Sequence, residues 1–125
     1  MTGEWTQLCQ AKDIGIDGSQ VTVRFQDERS HRVAVTETVQ EYRLHAVVAR
    51  PATVQRLGSD LPVATWLRNR AVNLVGFRVD GRGRLVCEAY VPKAGLSAEE
   101  FQLYLRTIAI ESDRFEYALT GRDVE

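Results

Sequence analysis

The sequence predicts an α+β fold of two layers, in which helices pack on an antiparallel five-stranded sheet in the order α-βββ-α-ββ-α. Three observations support this prediction. Apolar and polar residues alternate through residues 21–48, a glycine-rich hairpin can be registered within residues 75–89, and one long helical pattern begins after Ser97. The 125 residues have the size of one domain, so we expect residues 1–125 to form a single domain.

The first elements are a short helix and three strands. Trp5, Leu8 and Cys9 share one face of a helix over residues 4–12. Pro51 ends the third strand, because proline cannot donate a hydrogen bond to a sheet. Alternating apolar residues define the three strands as Val21, Val23 and Phe25, then Val33, Val35 and Val39, then Tyr42, Leu44, Ala46 and Val48.

A second helical region precedes the hairpin. Residues 51–58 are consistent with a helical turn, and Ser59 or Asp60 can cap the helix that follows. Pro62 falls in the first turn of that helix, where its missing N–H costs little. We expect Trp66 to be largely buried. One face of this helix carries Val63, Trp66, Leu67 and Arg70.

The register of the hairpin follows from the side chains that it pairs. A two-residue Asp80-Gly81 turn would set the Phe77 ring opposite the Arg84 guanidinium. A three-residue loop ending at Gly83 avoids this, and Gly83 then takes the left-handed position. This loop places six side chains on one face, in the pairs Val79 with Leu85, Phe77 with Cys87 and Val75 with Ala89. The opposite face is too apolar for a fully solvated surface, so we expect another element or a partner to cover part of it. This face carries Leu74, Arg78, Val86 and Tyr90.

The last helix has the clearest pattern, with a length of about 23 residues. Ser97 and Glu100 form a capping box, and Gly121 ends the helix. Its face toward the sheet carries Phe101, Leu105, Ile108, Ser112, Phe115 and Leu119. Because that face already serves the sheet, a second stripe with a period of seven predicts a subunit contact, with extra core as the alternative. The second stripe consists of Leu103, Ile110 and Tyr117.

Composition and charge exclude several classes of protein. The chain is 44% hydrophobic and 26% charged with a net charge of -1, so no global field attracts it to nucleic acid or to a membrane. Cys9 and Cys87 are far apart and form no CxxC motif, which favours a reducing compartment. No signal peptide or apolar run of about 18 residues is present. We therefore expect a cytoplasmic protein without a membrane segment.

No set of residues predicts an active site. His31 and His45 fall on different strands without ligand-spaced neighbours, and Cys9 and Cys87 lie on apolar faces where thiols act as small hydrophobic groups. The tip at residues 81–83 is a hairpin loop and lacks a phosphate-binding motif. We expect no enzymatic activity, no cofactor and no metal. A solvated face is predicted for the mixed charges of Glu111, Asp113, Arg114 and Glu116.

Arginine is unusually dominant among the basic residues. All but two of the sixteen are arginine, and five of them gather within residues 68–84 around Trp66 and Phe77. Guanidinium groups bind phosphate and stack on bases, so a single-stranded nucleic-acid groove is one interpretation. An ordinary surface on which Arg replaces Lys is the simpler one, and an acidic protein partner is a third. The five residues are Arg68, Arg70, Arg78, Arg82 and Arg84.

Several segments of the second half share a family pattern. They are residues 73–80 (NLVGFRVD), 81–85 (GRGRL), 90–92 (YVP), 95–101 (GLSAEEF) and 113–116 (DRFE). In this order, an Asn-led strand and a glycine hairpin precede a capped helix. The pattern resembles the YbjN-like family, which is similar in fold to the type III secretion chaperones of the Tir-chaperone class. Residues 60–120 carry the resemblance, and the earlier strands agree in order.

The resemblance implies a small non-enzymatic homodimer that holds a segment of a partner protein through the helix before the hairpin and the adjacent sheet. Together with the apolar surfaces, it predicts a chaperone-like or adaptor protein, with a nucleic-acid module as the alternative. Because the chain is nearly balanced in charge, an adaptor is favoured over a dedicated effector chaperone. The expected dimer or partner contacts are Val63, Trp66, Leu67, Leu74, Val86, Tyr90, Leu103, Ile110 and Tyr117.

Overall fold

The computed structural model describes the backbone of residues 3–121 and the side chains from Trp5 onward. Within these residues, six strands form one antiparallel sheet in the order β1-β2-β3-β4-β6-β5. The α+β class is confirmed, with six strands in place of five. The elements are α1 (Gly3–Gln7), β1 (Ile14–Asp17), β2 (Gln20–Arg24), β3 (Ser30–Glu37), β4 (Glu41–Ala49), α2 (Pro51–Leu57), α3 (Asp60–Ala71), β5 (Gly76–Val79), β6 (Leu85–Pro92) and α4 (Ala98–Thr120).

The additional strand is β1, which follows the predicted first helix in a segment to which the sequence assigns no element, and α1 ends at Gln7 instead of residue 12. Only Ile14 and Ile16 alternate before the turn at Gly18, so the segment is too short to show a strand period by itself. Pairing with β2 forms the strand, because Ile14 lies opposite Val23. A second boundary also differs, since Val39 lies in the turn between β3 and β4 and is 93% exposed.

Helix α4 covers one face of the sheet, which we call the inner face. Its ends are confirmed: Ser97 and Glu100 exchange both hydrogen bonds of the capping box, and Gly121 is left-handed with a φ of 75°. Two edge-to-face aromatic pairs join the layers, Tyr42 with Phe101 at 5.2 Å and Phe77 with Phe115 at 4.8 Å. The predicted stripe is buried at Phe101, Leu105, Ile108, Ser112 and Phe115, and Leu119 is half-buried.

The hairpin between β5 and β6 has the predicted register. Val79 lies opposite Leu85, and Gly83 has a φ of 81° in the three-residue loop. The predicted pair of Val75 with Ala89 is outside the ladder because β5 begins at Gly76. The pair on this face is buried unequally, since Leu85 is fully buried and Val79 is exposed.

Candidate partner-binding surfaces

Helix α3 presents three large apolar side chains to solvent. Leu61 anchors the helix in the core, whereas Val63, Trp66 and Leu67 are 60%, 58% and 54% exposed. We call these three residues the α3 surface. The expectation that Trp66 is buried is therefore wrong. Periodicity places Trp66 on an apolar face of the helix, but nothing among the described residues covers that face. The Arg70 guanidinium lies 4.9 Å from the Trp66 ring centroid.

The second stripe of α4 is also exposed. Leu103 and Tyr117 are more than half exposed, and Ile110, midway between them, is partly exposed. Ile110 faces the end of β2 across a depression of about 530 Å³ that includes Phe25 and Arg106. Further depressions lined by Arg29 and Arg114 continue it toward Tyr117. We call this feature, from Phe25 and Ile110 to Tyr117, the α4 groove.

Ion pairs frame the α4 groove. Arg106 donates two hydrogen bonds to the Asp13 carboxylate, at 2.8 and 2.9 Å, and these hydrogen bonds lower the pKa of Asp13. On the other side, Arg29 contacts Asp27 at 2.7 Å and Asp113 at 3.1 Å. The groove therefore has an apolar floor between charged walls, an arrangement that suits an amphipathic segment.

A buried polar cluster lies between β3 and α4. His31, Asp113 and Glu116 bring one ligating atom each to within 4.8 Å of one another. The solvated face predicted for this part of α4 is wrong at Glu116, which is 1% exposed. The His31 Nε2 lies 3.1 Å from the Val47 carbonyl oxygen. Sequence reasoning missed the cluster because His31 is distant in sequence from both carboxylates.

Such donors can hold a cation, but the cluster already contains one. The Arg29 Nη1 lies 3.1 Å from Asp113 Oδ2, so a guanidinium occupies the position next to that carboxylate. Burying a charge is costly unless it is paired, and Arg29 supplies the pairing for Asp113. The geometry therefore favours a network of internal ion pairs, and the absence of a metal stays a prediction.

The two edges of the sheet differ. At β5, the Asn69 side chain accepts a hydrogen bond from the Phe77 N–H at 2.7 Å and donates one to the Phe77 carbonyl at 3.0 Å. At β1, the Arg24 N–H donates to the Asp13 carbonyl, which places the backbone groups of Ile16 on the outward side of the strand. No described residue bonds those outward groups of Ile16.

The outer face of the sheet corrects part of the predicted contact set. Val86 is 2% exposed, so its side chain is not available to a partner in this structure. Leu74 precedes β5, has a positive φ of 74° and is exposed away from the ladder. Tyr90 is exposed, and the Arg43 guanidinium lies 5.1 Å from its ring centroid. Val86 lies opposite Arg78, whose pair with Glu88 at 2.6 Å spans the same face.

The five clustered arginines are divided between helix α3 and the β5–β6 hairpin. Arg68 and Arg70 are on α3. The Arg68 guanidinium lies 5.0 Å from the ring centroid of Phe115 on α4, and that of Arg70 lies 4.9 Å from the Trp66 ring centroid on its own helix. The other three belong to the β5–β6 hairpin. Arg78 pairs with Glu88 at 2.6 Å, and Arg84 pairs with Asp80 at 2.8 Å. Arg82 is exposed at the tip. Proximity in sequence thus does not place the five on one element.

Both thiols lie in the core. Burial raises the pKa of the Cys87 thiol to about 12 and that of Cys9 to about 11. A thiolate is the reactive form of cysteine, so neither residue has the environment of a nucleophile at neutral pH.

The chain shares its fold with solved structures from type III secretion. The α+β arrangement of helices on an antiparallel sheet matches the fold of the type III secretion chaperones. One similar solved structure is the ExoU-SpcU complex from the type III secretion system of Pseudomonas aeruginosa, with a TM-score of 0.59 and 17% identity over 81% of this chain and 84% of that one. A second is the ExsC-ExsE complex, with a TM-score of 0.58 and 17% identity over 93% and 88% of the two chains.

These neighbours are the type III secretion chaperones SpcU and ExsC, each in a complex with another protein. No family model matches the chain, and no curated protein matches it in sequence. Within residues 3–121, no helix has the length and apolar character needed to cross a membrane.

Proposed function

We propose that the protein is a non-enzymatic, chaperone-like or adaptor homodimer that binds a segment of a partner protein. The observation that carries the proposal is the α3 surface, where Val63, Trp66 and Leu67 are exposed although the core beneath the helix is already closed. Exposed apolar side chains gathered on one face are typical of interaction sites. The fold of the neighbours and the segments similar to the YbjN-like family support the same assignment.

The α3 surface is the proposed dimer contact. A two-fold axis beside α3 would place each Trp66 against the partner's helix and bury the largest exposed apolar ring of that surface. Tryptophan at the centre of a contact is a frequent hot spot, and the nearby Arg70 supplies a polar rim. Light scattering on the full chain at micromolar concentration tests this proposal. We expect about twice the 14.1 kDa chain mass, and a monomer would contradict it.

The partner segment is proposed to bind along β1 and the α4 groove. Asp13 both lines the groove and immediately precedes β1, so the outward backbone of β1 and the apolar floor at Phe25 and Ile110 are continuous. An extended segment can add to the open edge by main-chain hydrogen bonds and place apolar side chains in the groove. Charged residues of the segment would face the pairs at Arg106 and Arg29.

A pull-down from native lysate identifies the partner. Binding of the recovered partner to the purified chain is then measured directly. Ile110→Asp places a charge on the groove floor, and we expect it to abolish recovery of that partner. Val39→Asp is the matched control, since Val39 lies in an exposed turn away from the groove. Equal recovery by both variants would exclude the α4 groove as the binding site.

The nucleic-acid module remains the alternative function, supported by the arginine-rich hairpin. Single-stranded DNA binding through phosphate contacts would fall steeply between 50 and 200 mM salt, with a slope of about -0.7 per neutralised phosphate. We expect weak binding without saturation, because Arg78 and Arg84 are already paired with carboxylates. Saturable binding that Arg68→Gln, Arg70→Gln and Arg84→Gln together abolish would favour the alternative.

A further inference from the structure

The outer face of the sheet contains a depression that the proposed function does not use. It has a volume of about 470 Å³ and lies over strands β2, β3 and β4 and the start of β6. Ala34 and Val47, both half-buried, form its floor, because small side chains leave a hollow between longer neighbours. The volume is in the range of small-ligand sites.

The walls of this depression carry hydrogen-bond donors. Arg32 and Arg84 supply guanidinium groups, Ser30 a hydroxyl, Gln20 an amide and His45 an imidazole. No carboxylate is among the residues that line it. Asp80 offsets part of the charge of Arg84 from outside the lining, so the net positive charge at the hollow comes mainly from Arg32, and that charge attracts an anion.

The two guanidinium groups are held differently. Arg84 is fixed from behind, since its Nε and Nη2 contact Asp80 Oδ2 at 2.9 and 2.8 Å. Asp80 is itself held by the backbone N–H groups of Arg82 and Arg84. Arg32, in contrast, is exposed and forms no ion pair with any of residues 3–121. One arginine is thus already oriented, and the other is available to close on a ligand.

The pKa of His45 is sensitive to the positive charge at this depression. Burial lowers the pKa of His45, and the positive charges of Arg84 and Arg78 lower it further against the opposing effect of Glu88 and Asp80. An anion bound between Arg32 and Arg84 would offset the field of Arg84 at the imidazole. The imidazole is thus a built-in reporter of occupancy.

We propose that this depression binds a phosphate group, carried by a small molecule or by a phosphorylated side chain. Two guanidinium groups with hydroxyl, amide and imidazole donors suit a tetrahedral dianion with several acceptor oxygens. Binding of a run of stacked bases is disfavoured. Among the described strands, Tyr90 is the one aromatic side chain on the outer face, and the Arg43 guanidinium already lies over its ring. This depression shares no lining residue with the α3 surface or with the α4 groove.

The test follows the His45 imidazole by NMR while inorganic phosphate, AMP and a phosphoserine peptide are added to the full-length protein. We expect saturable shifts and a higher pKa of His45 in the bound state. Arg32→Gln should weaken binding about tenfold or more, since it removes a charge-assisted hydrogen bond. The matched control is Arg56→Gln, an exposed arginine in the last turn of α2, which should leave the affinity unchanged.

The ligands separate the two phosphate sources. Binding of AMP or phosphate at least as tight as that of the peptide indicates a small molecule, and tighter binding of the phosphoserine peptide indicates a modified side chain. Three results would overturn the proposal: no saturable shift at His45, equal loss of affinity in both variants, or equal binding of a peptide with glutamate in place of phosphoserine. Preferential, salt-steep binding of a single-stranded oligonucleotide would also overturn it.

Discussion

The β5 edge and the β1 edge of the same sheet handle their outward backbone groups in opposite ways. At β5, the Asn69 side chain bonds both polar groups of Phe77 and so replaces the neighbouring strand that the edge lacks. At β1, the outward N–H and carbonyl of Ile16 are bonded by no described residue, and only the short length of the strand limits pairing. At β5 a side chain thus caps both polar groups of Phe77, whereas at β1 both outward polar groups of Ile16 stay open and the outward N–H of Ile14 donates to the Ala11 carbonyl.

This difference divides the molecule into two sides. The capped residue Phe77 lies beside α3, so its backbone is not free for strand pairing, and the proposed dimer contact uses the apolar side chains of the α3 surface. The open edge lies beside the α4 groove, where both main-chain hydrogen bonds and apolar contacts are available. A chain that dimerises on one side and binds a segment on the other needs this asymmetry, because two open edges would also pair copies of the chain with one another.

The largest expected effect is loss of the dimer at the α3 surface. Val63→Asp places an unpaired charge in the proposed contact, and we expect dimer dissociation to become at least about a hundredfold more favourable, about 2.7 kcal/mol. Val39→Asp makes the same chemical change at a side chain that is 93% exposed and should leave the dimer intact. Light scattering over a concentration series measures both variants, and an unchanged dimer in Val63→Asp would remove α3 from the interface.

Loss of the edge cap is the next largest effect. Asn69→Ala leaves the Phe77 N–H and carbonyl without their side-chain partner, so we expect the free energy of unfolding to fall by about 1–2 kcal/mol. Newly available edge groups should also increase self-association. Asn73→Ala, at an exposed position before β5, is the control. Urea unfolding at fixed protein concentration compares the two, and equal midpoints would show that the cap contributes nothing.

At the open edge, a proline tests whether the backbone of β1 binds the partner segment. The Ile16 N–H points away from β2, so Ile16→Pro removes the outward donor while the hydrogen bonds to β2 remain. We expect affinity for the partner recovered by pull-down to fall about tenfold, or about 1.4 kcal/mol. Ile16→Val keeps both the donor and an apolar side chain and should bind normally. Full binding by the proline variant, with an unchanged urea midpoint, would exclude strand addition at this edge.

The parts of this comparison that the sequence could predict are those set by local rules. The capping box at Ser97 and the register of the loop at Gly83 depend on a few adjacent residues, and both are confirmed. The capping of Phe77 could not be predicted, because the bonds of Asn69 depend on how α3 docks beside β5. The strand at Ile14–Asp17 is missed for the same reason, since its partner strand creates it.

The solvent exposure of the candidate contact residues could not be predicted from the sequence either. The period that assigns Trp66 to an apolar face holds whether or not another element covers that face, and the structure leaves it uncovered. Glu116 shows the reverse case, because a carboxylate in a mixed run of charges is buried where β3 brings His31 against α4. Local patterns predict which residues share a face, and the packing of distant elements decides which faces stay open.

The smallest expected effect concerns the wall of the α4 groove beside the open edge. The hydrogen bonds from Arg106 lower the pKa of Asp13, so the folded state binds fewer protons at this carboxyl than the unfolded state, whose pKa is about 3.9. The resulting stability is present above about pH 4 and is lost as the pH falls through the lower folded pKa. Both side chains are 37% exposed, and solvent screening keeps the contribution below about 1 kcal/mol.

Arg106→Gln should therefore reduce the drop in urea midpoint between pH 7 and pH 3, measured at fixed protein concentration. Arg114→Gln is the control on the same helix, since the Arg114 Nη1 lies 3.6 Å from Glu111 Oε2, a longer and more exposed contact. We expect this control to keep the wild-type drop. If Arg106→Gln also keeps the full drop, the pair with Asp13 does not stabilise this wall. The junction of β1 with the groove then depends on apolar contacts such as that of Ile14 with the core.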